Sequence, residues 1–443
     1  MKLIYDVKDK PKFGQLIVFA FQQLLAILAA TIAVPSIIGN GMSQSAALFG
    51  AGIGTIVYLL FTKFKSPVFL GSSFAFLGSM FAAFAGAASE AAGHFGLIIG
   101  ALLAGLVYVV IAIVVKIAGV KWIDKLMPPV VIGPTVAIIG LSLAGNAVGD
   151  ALSLSDTSAG NFNMNLSGWV GLICALVTMF TVMFCSVYGK KMMKLIPFVI
   201  GIAAGYIVAT IFTVIGINTG NEALIVVDYS KFAAMQWLPD FTIVKALQGL
   251  KEIDATYIAT VAVAYVPVAF VVFAEHIADH KNLSTIIERP LLEEPGLHRT
   301  LLGDGVGSMA GAIFGGCPNT TYGESVGCVA ITGNASVVTI FSTAILAILA
   351  SFFGPFVTFL STIPACVMGG VCITLYGFIA VSGLKMIQKV DLEENKNLFV
   401  VSVILITGIG GMTLQIGKVT LTEIACALIL GIITNLILGK KKN

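Results

Sequence analysis

The sequence predicts an all-α polytopic membrane protein with fourteen transmembrane segments in two inverted repeats of seven. Short antiparallel strands are expected to interrupt the third and tenth spans. Three observations lead there: the composition, the placement of the basic residues, and two spans broken at matching positions. Of the 443 residues, 58% are hydrophobic and 11% charged, with a mean hydropathy of +1.01. A soluble domain carries about 25% charged residues, so this chain is composed for a bilayer. The net charge of +3 gives no reason to expect a nucleic-acid partner.

Apolar windows bounded by Gly, Pro or charge fall at 13–33, 45–61, 67–87, 95–117, 128–146, 168–188, 195–216, 256–278, 301–315, 318–332, 335–353, 362–383, 398–412 and 420–438. Most are long enough to cross a hydrocarbon core. The charged start MKLIYDVKDKPK precedes the first window without a small-residue cleavage site, so that window reads as a retained span. With the N-terminus cytoplasmic, all of the 25 Lys and Arg residues except Lys231, Lys245, Lys251 and Lys418 fall on the cytoplasmic side. This is the positive-inside bias. Adding or removing one span midway would destroy it, so the two short, polar-headed spans cross as well. Both termini are then cytoplasmic, and the protein is expected in the cell's inner membrane.

Trp122, Trp169 and Trp237 lie near the predicted interfaces and read as belt anchors. The seven cysteines sit in or beside apolar runs without CxxC spacing and read as small hydrophobes. No metal or cofactor is expected.

The repeat division places the first seven spans in 1–217, an extracytoplasmic linker in 218–255 and the second seven in 256–443. Because seven is odd, the second half must thread the membrane upside down relative to the first. MPPVVIGPTVAIIG from Met127 echoes IPACVMGGVCITLYG from Ile363, with Pro128 and Pro364, and Gly133 and Gly369, in step. The broken spans begin SPVFLGSSF at Ser66 and CPNTTYGES at Cys317, so Pro67 corresponds to Pro318. Interrupted helices at equivalent positions of inverted repeats point to a midplane transporter site.

Irregular backbone at membrane depth survives only where protein or a cavity satisfies it. Around the breaks stand Gly71, Ser72 and Ser73, then Asn319, Thr320, Thr321 and Gly323. We expect two short strands that pair, each followed by a half-helix whose first N–H groups, near Phe74 and Glu324, face the gap. The plainer alternative is a pair of kinks stabilised by Ser and Thr.

Glu324 and Glu275 are the acids deep in spans, each at an insertion cost of about 2.5–3.5 kcal/mol. Asp279 follows Glu275 by one helical turn on the same face. His276 points a quarter-turn away, and His280 reads as close to the cytoplasmic end. Two acids on one cavity can hold a neutral solute by its N–H groups, and one can carry a proton; the alternative is a structural polar patch. Glu90, His94, Asp150 and Asp156 read as solvated loop or span-end residues. The run Glu288–Asp304 reads as a cytoplasmic linker and amphipathic surface. No P-loop or GxSxG is present, and EHIADH departs from the HExxH zinc pattern. A passive channel or an intramembrane enzyme therefore has little support.

The stretches NTTYGE at Asn319–Glu324, AEHIADH at Ala274–His280 and GSSFAF at Gly71–Phe76 resemble signatures of the nucleobase–ascorbate transporter family, its uracil permeases above all. FQQLLAILAATIAVPSII and PACVMGGVCITLYGFIAVSGLK extend the resemblance over the chain. It implies a core domain of spans 1–4 and 8–11, a gate domain of spans 5–7 and 12–14, and a homodimer. It further implies that Glu275 and Glu324 bind the base, that the N–H groups of Phe74 and Gly323 bind its carbonyl oxygens, and that Tyr322 borders the site. The expected activity is uracil import by proton symport through alternating access, with Na⁺ as the other candidate ion. Glu275 and Asp279 are the candidates for proton coupling.

Three positions depart from the family pattern: Asp279 where uracil permeases often have His, Gln22–Gln23 for a Gln–His pair, and Ser325 for Asn. Asp279 is closer to purine carriers, so a xanthine or urate symporter is the alternative. An anion exchanger of the same plan is disfavoured because two acids repel an anion.

Overall fold

The computed structural model describes residues 3–119, 128–157, 161–190, 192–416 and 419–439. Trp122 and Lys418 lie outside these residues. Among the described residues, eight helices are long and apolar enough to cross a membrane, with shorter apolar helices at Phe74–Ala85, Asn395–Ile409 and Glu423–Leu438.

The chain divides into two compact units. The first comprises Met1–Ser142, Pro239–Ser351 and Ile379–Asn443; the second comprises Leu143–Leu238 and Phe352–Phe378. In the first, α1 (Phe13–Ile38) and α2 (Gln44–Phe61) lead to β1 (Leu70–Ser72), a 3₁₀ turn at Phe74–Phe76 and the short α3 (Leu77–Ala85). Next comes α4 (Glu90–Ala118), started by Ser89, which accepts from the Ala92 N–H. The later elements are α5 (Ile243–Gln248), α6 (Ala255–Ile287), α7 (Leu297–Ile313), β2 (Asn319–Thr321), α8 (Gly323–Thr332) and α9 (Val337–Ser351). Asp254 caps α6 by accepting from Tyr257 N–H at 2.6 Å.

Glycine sets the depth at which α7 packs. A Cβ at Gly50 would stand 2.7 Å from the Gly311 carbonyl, and one at Gly105 would stand 2.8 Å from that of Gly305. Backbone thus meets backbone between α7 and both α2 and α4, the close approach by which membrane helices associate without a hydrophobic driving force. The two breaks are thereby clamped at the centre of the unit. β1 and β2 pair antiparallel, with Leu70 opposite Thr321, Gly71 opposite Thr320 and Ser72 opposite Asn319.

The remaining edges of the strands are satisfied by side chains. Leu70 N–H donates to Thr55 Oγ1 at 2.9 Å, Asn319 N–H to Ser308 Oγ at 2.9 Å and Phe69 N–H to Ser325 Oγ at 3.0 Å. That accounting is what allows strand backbone inside an apolar bundle.

The N-terminal segment is stitched to the turn after α8. Ile4 N–H donates to the Gly333 carbonyl at 2.7 Å, Ala335 N–H to Tyr5 at 2.9 Å and Val337 N–H to Val7 at 3.1 Å. Arg289 donates to Asp6, and Lys65 pairs with Glu294 at 2.5 Å. A second hairpin pairs Leu414 with Leu421 ahead of the helix Glu423–Leu438.

In the second unit, the helices Leu166–Tyr188 and Pro197–Thr219 pack through small residues. A Cβ at Gly201 would stand 3.0 Å from the Thr178 carbonyl. Trp169 and Trp237 are exposed, and all seven cysteines are buried and unbridged.

Several expectations need correction. The run Glu288–Asp304 is not a surface linker throughout. Helix α7 starts at Leu297, and Asp304 is fully buried on it. His280 is likewise fully buried. His94 is 2% exposed: α5 and Gly249 lie over the start of α4, and a Cβ at Gly249 would meet the Ala92 nitrogen at 2.3 Å. Asp150 is half-buried, whereas Glu90 and Asp156 are exposed as expected.

Candidate functional site

The strand pair ends in two helix starts that no side chain caps. β1 leads through Ser73 into the turn at Phe74, and β2 leads through Tyr322 into α8 at Gly323. The first N–H groups of a helix have no partner within it, so the start of α8 offers donors. Gly323 is exposed, Phe74 and Glu324 are half-buried, and Glu324 occupies the first turn of α8. A Cβ at Gly323 would meet nothing within 4 Å except Asp279 Oδ1, at 3.7 Å. The helix start is therefore open and lies beside an acid.

From α6 come Glu275, which is exposed, and Asp279, which is half-buried and accepts the Thr321 Oγ1 proton at 2.9 Å. Thr321 thus ties α6 to β2 and fixes the acid at the mouth of α8. The charges that reach Glu275 are those of Glu324 and Asp304, and those that reach Asp279 are Glu275, Glu324 and Asp304. All are acidic. The arrangement combines backbone donors with carboxyl oxygens that can accept N–H groups.

Tyr322 is placed differently from the other candidates. It is 4% exposed, and its hydroxyl donates to the Ser72 carbonyl at 2.8 Å. Its ring lies over Gly71, where a Cβ would be 2.3 Å from Cε2. Gly71 therefore makes room for a ring that props one strand against the other.

Two departures from the family pattern meet in space. Gln23, buried on α1, donates through Nε2 to Ser325 Oγ, the same oxygen that accepts Phe69 N–H. The pair closes the rear of the strand ladder. A shorter side chain at 325 is matched by an amide that reaches it.

Sequence reasoning missed a second polar cluster on α6 and α7. His276 Nδ1 lies 2.7 Å from Asp304 Oδ2 and Nε2 lies 3.0 Å from Thr300 Oγ1, all with fully buried side chains. The His276 and His280 rings stack with centroids 4.1 Å apart. His280 Nδ1 donates to the His276 carbonyl at 2.8 Å, and its Nε2 lies 2.7 Å from the Tyr58 hydroxyl. The signal was in the sequence: Thr300, Asp304 and Ser308 recur every four residues, a polar stripe on one helix face.

Apolar helices in number, with a buried strand pair flanked by Glu324, Glu275 and Asp279, define a multi-pass membrane protein with an internal polar site. The family model described as "Permease family" matches residues 14–417. The uracil permease of Bacillus caldolyticus is 41% identical over 442 residues, covering 99% of this chain and 95% of that protein. The uracil permease of Bacillus subtilis (strain 168) is 38% identical, covering 100% and 96%, and that of Escherichia coli (strain K12) is 34% identical, covering 97% and 93%.

The chain belongs to the permease family. Its relatives are permeases, not enzymes. Among solved structures, the transmembrane domain of the cyanobacterial bicarbonate transporter BicA matches with a TM-score of 0.65 at 16% identity, covering 97% of this chain and 100% of that one. At that identity the likeness concerns the fold.

Proposed function

We propose that this protein is a secondary active transporter that imports uracil by proton symport, through alternating access at a midplane site. The observation that carries the reading is the open start of α8 at Gly323, which bears Glu324 in its first turn and lies beside the acids of α6, Asp279 and Glu275. Uracil alternates N–H donors with C=O acceptors along one edge, and carboxylates and backbone amides are their complements. The names and coverage of the relatives support the substrate. The acidic surroundings favour a neutral solute over the bicarbonate carried by the fold's neighbour.

In this reading the chain crosses the membrane fourteen times as two inverted repeats, with both termini cytoplasmic. Spans 1–4 and 8–11 form a core and spans 5–7 and 12–14 a gate, and the protein assembles as a homodimer. Glu275 and Asp279 carry the coupling proton; Na⁺ coupling would make uptake follow a sodium gradient instead.

A purine:cation symporter is the second reading, favoured by Asp279 held beside Gly323. The deciding experiment is binding of radiolabelled uracil to purified protein, with excess unlabelled uracil, xanthine or thymine. Displacement by uracil but not xanthine supports the pyrimidine site, and displacement by xanthine supports the second reading. Glu324→Ala is expected to abolish binding while the protein remains extractable. Unchanged affinity in that variant would remove Glu324 from the site.

A further inference from the structure

A small cavity inside the first unit is walled by Phe76, Ala104 and Val272 and edged by Tyr108, Ser308 and Asn319. The space open to the centre of a water-sized sphere is about 10 Å³, about what one water molecule requires. The three polar residues are deeply buried, at 4%, 5% and 3% exposure respectively.

Their hydrogen bonds do not close among the described residues. Asn319 donates its N–H to Ser308 and its Nδ2 to the Gly50 carbonyl at 3.0 Å, but its Oδ1 has no donor. The Tyr108 hydroxyl has no acceptor. Its ring makes edge contacts with Phe273 and His276, at centroid distances of 6.5 and 6.3 Å. Buried polar groups are paired with protein or with ordered water in the great majority of cases.

We infer that this cavity binds a single ordered water. The water accepts the Tyr108 proton, donates to Asn319 Oδ1 and takes Ser308 Oγ as its third partner. Three partners are the usual number for a buried water. A hard cation is a poorer occupant, because the edge supplies three neutral oxygens where six or more ligands are the rule, and the rest of the wall is apolar. The water joins α4 to the first residue of β2, and Asn319 is paired with Ser72 of β1. It is therefore one of the ties that fix the strand pair beneath Gly323 and Glu324. The water site stands whatever solute the protein carries.

The test is an experimental structure at a resolution that reveals buried waters, together with Tyr108→Phe, which keeps the ring and removes one partner. The expected map has a peak within hydrogen-bond distance of both Tyr108 Oη and Asn319 Oδ1. A map that shows other buried waters and none here overturns the inference, whatever the variant does. In Tyr108→Phe the peak should weaken or vanish and the melting temperature should fall by roughly 1–3 °C. A peak and a melting temperature both unchanged in Tyr108→Phe overturn the assignment of the Tyr108 hydroxyl as a partner of the water.

Discussion

Gly71→Ala tests the geometry of the site at its tightest point. The new Cβ would stand 2.3 Å from Tyr322 Cε2 and 2.4 Å from Cζ, so the ring must retreat by roughly 1 Å to reach ordinary van der Waals distance. Retreat pulls the hydroxyl off the Ser72 carbonyl, which it now meets at 2.8 Å. Overpacking of this kind costs about 1–3 kcal/mol, and a buried acceptor left unpaired costs about 1–3 kcal/mol more. A total of about 2–6 kcal/mol corresponds to at least a 30-fold change in the folding equilibrium constant.

Because Tyr322 immediately precedes Gly323 and Glu324, the displacement reaches the proposed ligand groups. The melting temperature should drop by the equivalent of that cost, and uracil affinity should fall with it. Gly327 is the control: it lies on the same half-helix with nothing within 4 Å of a Cβ. Alanine there should be neutral or stabilise by about 0.5–1 kcal/mol. Both quantities are read on purified protein, by equilibrium binding and by thermal melting. A Gly71→Ala protein that matches the parent in both would show that the ring does not lie on Gly71.

Ser325→Ala strands two buried donors, Phe69 N–H and Gln23 Nε2. At about 1–3 kcal/mol each, it should lower the melting temperature more than Gly327→Ala alters it; equal melting would refute the shared acceptor. Asp304→Ala leaves His276 Nδ1 without a partner in a fully buried site, at a cost of about 1–3 kcal/mol. The yield of monodisperse protein should collapse, whereas Asp304→Asn should be milder; equal yields of all three proteins would refute the pairing. The Lys65 hydrogen bond holds the exposed Glu294 carboxyl below its usual range. Stability from this pair is therefore complete above the ordinary Glu value of about 4.3 and is lost as pH falls through the lower folded value. The melting difference between parent and Glu294→Gln should stay constant from about pH 5 to 8 and vanish on further acidification; a difference that grows below pH 4 would reverse the sign.

Much of the site was legible because the membrane punishes the features that mark it. Pro67 and Pro318 interrupt the helical pattern, and the small and hydroxyl residues that follow mark strand backbone, which Thr55, Ser308 and Ser325 then satisfy. Glu275 and Glu324 stood out because an acid inside an apolar span demands a reason. Asp304 was hidden by its neighbours in sequence, since the mixed charges before it resemble a surface although Leu297 already begins a helix. His94 was misread because its burial depends on α5 and Gly249, about 150 residues away in sequence, an instance of tertiary context overriding local pattern. The hairpin pairing Leu414 with Leu421 left no clear alternation to read, because its strands are three residues long.

The pairing of Leu70 with Thr321 also sets an order of events at birth. Translation delivers β1 to the membrane before its partner exists, and its backbone cannot be satisfied by lipid. At about 5–20 residues per second, the roughly 250 residues between the strands take some 10–50 s to add. Throughout that interval the nascent first half carries an open strand edge, which water, the insertion machinery or a chaperone has to cover. Until Gly333 and Ala335 emerge, the stitches at Ile4 and Tyr5 are missing too. The first unit thus closes only after most of the chain is made, and a gene cut between the halves should yield stable protein only when both pieces are synthesised together.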